Sequence, residues 1–232
     1  KIIPKTFIES KNLLNQINTE ISVLKKIDHP NIVKYFDSFE YTDDFNETYI
    51  IIILEYCENN DLYDFIVNKG FEDDYQKQKM LRGILEAIKY LHQRGIAHGD
   101  IKPENILLDS DFNPKLSDFG YCKTNIIAGD ESKSGTLYYA APELFIRGQF
   151  NTLKTDIWSI GILLYIVSEG CFPFINGNQK FTIMQITSGK LNFKPDISDI
   201  LINVIKRCTQ LNPENRPTIE EILRDEYFID DF

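Results

Sequence analysis

A chain of 232 residues with 43% hydrophobic residues, 12 Gly and 9 Pro has the composition of a folded domain, which excludes disorder, a collagen-like repeat and a disulfide-stapled miniprotein. Its 25 Lys and Arg against 35 Asp and Glu give a net charge of -10, the wrong sign for a nucleic-acid binder and a suitable one for basic partners. Cys57, Cys122, Cys171 and Cys208 form no CxxC pair, and His29, His92 and His98 stand at no ligand spacing from them, so neither a disulfide framework nor a zinc site is expected.

Lys1-Ile2-Ile3-Pro4-Lys5 reads as a strand entered midway, with neither the apolar core of a signal peptide nor an Arg/Ser-rich transit pattern. Leu13, Leu14, Ile17, Ile21, Leu24 and Ile27 recur at helical spacing and predict a helix with one buried stripe over Asn12 to Ile27. Glu20 falls inside that stripe, and a carboxylate facing an apolar interior demands a cation from elsewhere in the chain. Ile32 to Phe36 and Tyr49 to Leu54 predict strands separated by a polar stretch, Thr42 to Glu47. The second is the longest apolar run and falls far short of the roughly 20 residues that span a bilayer, so no membrane partner is expected.

Polar residues from Glu55 to Asp61 predict a hinge within one compact unit. Met80, Leu81, Ile84, Leu85, Ile88 and Leu91 then mark a long amphipathic helix that stops at Gly95. Ile157 to Val167 is apolar nearly all round, so this helix must be wrapped by others as a central pillar. Shorter helices are predicted over Phe181 to Ser188, Ile197 to Thr209 and Thr218 to Asp225.

The chemistry concentrates in His98-Gly99-Asp100-Ile101-Lys102-Pro103-Glu104-Asn105, followed by Ile106-Leu107-Leu108 and, further on, by Asp118-Phe119-Gly120. Two apolar strands around a turn would bring Asp100, Lys102, Asn105 and Asp118 to one edge. A carboxylate able to accept a hydroxyl proton, a cation for phosphate charge, and an amide plus a carboxylate able to ligate Mg²⁺ are the inventory for phosphoryl transfer. Asp-Phe-Gly alone is an ordinary turn signature, but it is followed in order by Ala141-Pro142-Glu143, Asp156-Ile157-Trp158-Ser159-Ile160-Gly161 and Asn215-Arg216-Pro217.

With these motifs the chain resembles the eukaryotic protein kinases from Lys1 to about Phe228. Asp100-x-Lys102-Pro103-Glu104-Asn105 resembles the serine/threonine kinases, and Leu163-Leu164-Tyr165-Ile166 with Cys171-Phe172-Pro173-Phe174 is most similar to the calcium/calmodulin-dependent group. The resemblance implies an α+β, bilobal fold, with a truncated β-rich small lobe over residues 1–56 and a mainly helical large lobe over 57–232. It implies ATP and Mg²⁺ as cofactors, a protein substrate with a Ser or Thr acceptor, and a cytoplasmic or nuclear location.

Residue by residue, the resemblance implies that Lys1 anchors phosphate and pairs with Glu20, that Asp100 orients or deprotonates the substrate hydroxyl, and that Lys102 neutralises the transferred phosphoryl. Asn105 and Asp118 would hold Mg²⁺. Adenine would lie against Leu107, with backbone bonds to Glu55 and Cys57 and Leu54 behind it. His98, Phe119, Leu24 and Tyr35 match a packed column joining the lobes, and Glu143 and Arg216 a bracing ion pair. Asp61, Glu104 and Thr136 would face the peptide, Asp61 meeting an arginine three residues before the acceptor, while Ile166 removes the acid that would select a second arginine.

Two departures from the family pattern stand out. Its glycine-rich loop precedes the lysine, and nothing precedes Lys1, so a fragment of a longer chain is expected. Gly99 stands where most members carry Arg, which commonly pairs with a loop phosphate. Of the loop acceptors Ser132, Ser134 and Thr124, any phosphate would then meet only Lys123. A catalytically impaired kinase-fold scaffold and a small-molecule phosphotransferase are the alternatives. The peptide platform formed by Gly135-Thr136 and Ala141-Pro142-Glu143 disfavours the second.

Overall fold

Stiff residues at Ile2–Pro4 form β1, which runs antiparallel to β3 (Thr48–Leu54) with Ile2 opposite Ile51; β3 pairs on its other side with β2 (Tyr35–Thr42). The computed structural model describes residues 1–124, 136–146, 149–174 and 177–229, and the backbone of 127–128. Within the sheet order β1-β3-β2, alternate residues of β3 face opposite sides: Ile50 and Ile52 are buried against Ile8 and Ile17, while Ile53 is exposed. Ile8 belongs to α1 (Lys5–Lys11) and Ile17 to α2 (Leu14–Leu24), so one face of the sheet carries both helices.

The sequence differs from its expected elements here in two places. The helix predicted over Asn12 to Ile27 is shorter, because Asn12 takes a left-handed φ of 54° that ends α1 and forces a fresh start at Leu14. The strand predicted over Ile32 to Phe36 lies further along, at Tyr35–Thr42. Ile32 and Val33 are buried instead and reach the other side of the molecule, where the Val33 N–H donates to the Leu116 carbonyl at 3.0 Å. The apolar residues serve the core, and the strand itself is half-exposed at a sheet edge, where alternation is weak.

After the hinge, α3 (Leu62–Asn68) is capped by the Asp61 carboxylate, which accepts from the Asp64 N–H at 2.8 Å, and α4 (Asp74–His92) by Asp73, which accepts from Gln76 at 2.7 Å. The hairpin β4 (Ile106–Leu108) and β5 (Pro114–Leu116) follows, with Ile106 opposite Leu116. A short pair, β6 (Ile127–Ala128) with β7 (Phe150–Asn151), precedes α5 (Thr152–Glu169). Then come α6 (Gln179–Ser188), α7 (Asp199–Cys208) and α8 (Ile219–Leu223), the last with a capping box between Thr218 and Glu221.

Helix α5 is the pillar: every residue from Asp156 to Val167 is buried, and α4, α7 and α8 share the core built around it. Gly161 is required by that packing, since a Cβ there would come within 2.7 Å of the Thr209 side chain and 2.8 Å of Cys208. The same core runs on through Leu24 of α2, Phe119 and Leu116, so the sheet-side helix and the pillar share one apolar interior. The architecture is α+β, mainly helical, with a small antiparallel sheet.

Candidate active site

The catalytic-loop candidates are positioned from below by one acid. Asp156, near the start of α5, is 1% exposed, and its carboxylate accepts from the backbone N–H groups of His98 at 2.8 Å and Gly99 at 2.9 Å, with His92 Nε2 2.9 Å away. A buried carboxylate satisfied by three donors fixes the path of the chain on which Asp100 sits. His98 Nε2 lies 3.0 Å from the Ser117 carbonyl, and the ring meets Phe119 edge-on at 5.2 Å between centroids. Phe119 packs in turn into the core that holds Leu24 and Tyr35.

Gly99 has a steric reason to be glycine. Its φ is +82°, and an added Cβ would fall 2.5 Å from the Tyr121 carbonyl oxygen. Backbone rather than a movable side chain occupies that space, so this loop path admits no side chain at residue 99.

Asp100 is 5% exposed and is held on both oxygens. Oδ2 accepts from Lys102 Nζ at 2.6 Å and Asn105 Nδ2 at 2.9 Å; Oδ1 accepts from the Thr136 N–H at 3.0 Å and its hydroxyl at 3.2 Å. Lys102 Nζ also donates to Thr136 Oγ1 at 2.8 Å, so the lysine, the acid and the threonine close a triangle. The Asn105 amide donates to the Asp100 carbonyl as well, at 2.8 Å, which turns its Oδ1 outward from that contact. Across the β4–β5 hairpin, Ser117 donates to the Asn105 carbonyl from both N–H (2.8 Å) and Oγ (2.9 Å), and this places Asp118 one residue beyond Asn105's partner.

Asp118 takes a left-handed backbone, φ 61°, a region that Asp tolerates better than most side chains. Its Oδ1 lies 3.7 Å from Lys1 Nζ, which donates to both Glu20 oxygens at 2.8 Å. The Glu20 side chain is 4% exposed and that of Lys1 39%. The acid in the apolar stripe of α2 therefore has its cation, supplied by the segment leading into β1.

Oxygen donors dominate at this edge. Asn105 Oδ1 and the Asp118 carboxylate are hard ligands of the kind that suit Mg²⁺, which takes one or two protein groups and completes its shell with water and phosphate oxygens. Among the described residues no group of three or more His, Cys, Asp or Glu could hold a metal ion by itself, so the donor set fits a cation shared with phosphates and not a closed protein cage.

At the hinge, Leu54 ends β3 and Leu107 lies on β4; both are half-buried against the main core. The Glu55 side chain is engaged by Lys115 Nζ at 2.6 Å and the Lys34 N–H at 3.0 Å, and its own N–H donates to the Lys34 carbonyl at 2.8 Å. Cys57 is half-buried and its thiol is pushed up to about 11 by that burial, with the Glu55 charge adding to the effect. Asp61 spends Oδ1 on the α3 cap. Glu104 accepts from the buried Tyr139 hydroxyl at 3.2 Å, and burial together with the Glu104 charge raises the Tyr139 pKa. Glu143 and Arg216 form a two-pronged pair at 2.6 and 2.7 Å, the guanidinium being fully buried and also donating to the carbonyls of Gln210 and Lys154. Thr124 is exposed, and Lys123 is tied through its backbone to Ala97; Ser132, Ser134 and Gly135 lie outside the described residues.

Asp100, Lys102, Asn105 and Thr136 are thus gathered in one cluster, and Asp118, Lys1 and Glu20 in a second that adjoins it through Ser117. Reading the sequence did not single out Asp156 as the residue that positions the loop. The signal was there: an ionised residue at the head of an otherwise apolar helix raises the same question as Glu20, namely what satisfies it.

The family follows from the whole chain. It belongs to the protein kinase domain family, whose model matches residues 1–228. It is similar to CBL-interacting serine/threonine-protein kinase 3 of Arabidopsis thaliana, at 34% identity over 236 residues covering 100% of this chain and 52% of that protein. It is similar also to CBL-interacting protein kinase 32 of Oryza sativa subsp. japonica (34% identity, 98% of this chain, 52% of that protein) and to serine/threonine-protein kinase cds1 of Schizosaccharomyces pombe (35%, 98% and 52%). The chain is accordingly a protein kinase domain, and it spans about half the length of the curated relatives it matches. No helix among the described residues is long and apolar enough to cross a membrane.

Proposed function

We propose that this domain transfers the γ-phosphoryl group of ATP to Ser and Thr hydroxyls of cytosolic or nuclear proteins, in a cleft between a small lobe, residues 1–56, and a large lobe, 57–232. The observation that carries the reading is the pair of adjoining clusters, Asp100 with Lys102, Asn105 and Thr136, and Asp118 with Lys1 and Glu20.

The Asp100 carboxylate is the acceptor for the substrate hydroxyl, whose proton passes to it as the hydroxyl oxygen bonds to the γ-phosphorus and the bond from that phosphorus to the bridging oxygen breaks, releasing ADP. Lys102, already 2.6 Å from that carboxylate, holds negative charge on the phosphoryl group in flight. Lys1 positions the phosphates of the nucleotide, and Glu20 keeps its ammonium in place. Asn105 and Asp118 would hold Mg²⁺, which supplies charge neutralisation to the phosphate oxygens. Leu54 and Leu107 form apolar walls for adenine, with backbone groups of Glu55 and Cys57 as its polar partners. The ordered Asp100 cluster argues for an active enzyme over a scaffold of the same fold.

Substrate choice in this reading rests on Asp61, Glu104 and Thr136. A peptide with arginine three residues before the acceptor is favoured by roughly 1.5–3 kcal/mol, about 10- to 150-fold, through a charge-assisted contact with Asp61. Ile166, buried in the pillar, offers nothing to an arginine two residues before it. Activity depends only modestly on loop phosphorylation, because Gly99 brings no cation: dephosphorylation lowers it by less than about a hundredfold, roughly 2.7 kcal/mol.

The test is phosphotransfer from ATP by the full-length protein to a single-serine peptide carrying Arg or Ala at the third upstream position. The expected result is preference for the Arg peptide, loss of that preference in Asp61→Ala, and at least a thousandfold slower transfer by Asp100→Asn, on the order of 4 kcal/mol of barrier. Transfer by Asp100→Asn at the wild-type rate would remove the reading.

A further inference from the structure

Two cavities of about 460 and 530 Å³, lined by none of the residues named for the cleft, share Asp74, Lys77 and Ser168 and so form one groove. Its walls are the end of α3, the head of α4, the end of α5, the approach to α7 and the Glu226–Tyr227 turn. Ile66, Phe71 and Ile197 give it an apolar lining. Its charged lining consists of Asp73, Asp74, Glu169, Asp196 and Glu226 against a single cation, Lys77.

Much of this charge is already used. Asp73 caps α4, Asp74 holds Lys77 at 2.5 Å, and Glu169 accepts from the Lys194 N–H at 2.8 Å and is ion-paired with the Lys194 ammonium at 3.8 Å. Asp196 and Glu226 are exposed and have no hydrogen-bond or ion-pair partner among the described residues. A second observation concerns Tyr227, which lines the same groove, is 9% exposed, and carries a buried hydroxyl without a hydrogen-bond partner among the described residues. Buried polar groups are ordinarily paired, so this hydroxyl, able to donate and to accept, is left without the partner such a group normally has. The unpaired carboxylates Asp196 and Glu226 select positive N–H donors, the apolar wall of Ile66, Phe71 and Ile197 selects a ligand with apolar surface, and the unpaired Tyr227 hydroxyl marks the groove as a place where a polar partner is missing.

We propose that this groove docks an extended, arginine- or lysine-rich segment of a protein partner, separately from the substrate cleft. An anionic membrane surface is disfavoured by the sign of the lining charge, and a free inorganic cation has no use for the apolar wall. Docking here raises the local concentration of a partner without altering turnover of short peptides.

The probe is a fluorescein-labelled peptide of ten residues alternating Arg and Leu, without a hydroxyl acceptor, titrated into the full-length protein at about 150 mM salt and followed by anisotropy. Asp196→Lys/Glu226→Lys is expected to weaken binding at least about tenfold and Tyr227→Phe about threefold, with peptide phosphorylation and thermal unfolding unchanged. Asp44→Lys/Asp111→Lys, an equal charge change at exposed sites elsewhere, and Asp61→Ala/Glu104→Ala in the cleft are each expected to stay within about twofold of wild type. The proposal is overturned if wild type does not bind, if either control pair weakens binding as much as Asp196→Lys/Glu226→Lys does, or if sedimentation shows that the groove pair breaks a dimer instead.

Discussion

The two clusters at the cleft are built differently. Around Asp100 the contacts are buried and redundant, four donors on one carboxylate, and Asp156 braces the loop beneath them. Around Lys1 they are sparse and partly exposed: one ammonium serves Glu20 at 2.8 Å and Asp118 at 3.7 Å, and it reaches both from the residue just before a three-residue edge strand. The first cluster has one geometry set by the core. The second depends on how the sheet sits over the helices, so it is the part of the site that the proposed nucleotide would tighten.

This contrast separates substitutions that lower stability and rate together from those that lower nucleotide affinity alone. The largest effect is expected for Asp156→Ala, which strips the buried His98 N–H, the half-buried Gly99 N–H and His92 of their shared acceptor; about 3–5 kcal/mol of stability should be lost in denaturant unfolding, with transfer falling alongside. Gly99→Ala comes next. Strain at a positive φ and the 2.5 Å approach to Tyr121 should cost on the order of 1–3 kcal/mol in the same measurement, and a variant as stable as wild type would mean that the loop path is adjustable.

On the other side of the comparison, Glu20→Gln keeps the volume and removes the charge. Because Lys1 is 39% exposed and water screens it, the stability change should stay within about 1 kcal/mol, while the KM for ATP rises about tenfold. A stability loss as large as that of Asp156→Ala would erase the distinction between the clusters. The smallest effect is chemical. With its pKa raised from 9.0 to about 11, Cys57 carries about a hundredfold less thiolate at neutral pH than an unshifted thiol, so alkylation followed by mass spectrometry should label exposed Cys171 well before Cys57, and Cys57 faster as pH rises.

The helical frame was legible because its signals are strong: the pillar and the Met80 to Leu91 stripe follow from apolar spacing, and the stop after His92 from Gly95, which takes a φ of 68°. Glu20 was legible for a different reason, as an ion where the pattern wanted an apolar residue. Strand positions on the sheet were less so. Ile32 and Val33 look like a strand but pair with Leu116 across the molecule, and the true strand from Tyr35 is too exposed to alternate cleanly. Asp61 carried a second role that spacing alone does not reveal, the cap of α3. Gly99 could be noted as a departure from a family pattern, but only coordinates supply its cause, the Tyr121 carbonyl.

In the proposed function the second cluster receives a metal-bound nucleotide. This is tested most directly by calorimetry of an ATP analogue with the full-length protein, with and without Mg²⁺, in wild type and Asp118→Asn. Asn tolerates the left-handed backbone and preserves volume, so the fold should survive. Mg²⁺-dependent binding that weakens at least about tenfold in Asp118→Asn is the predicted result, and equal Mg²⁺-dependent affinity in both proteins would contradict it.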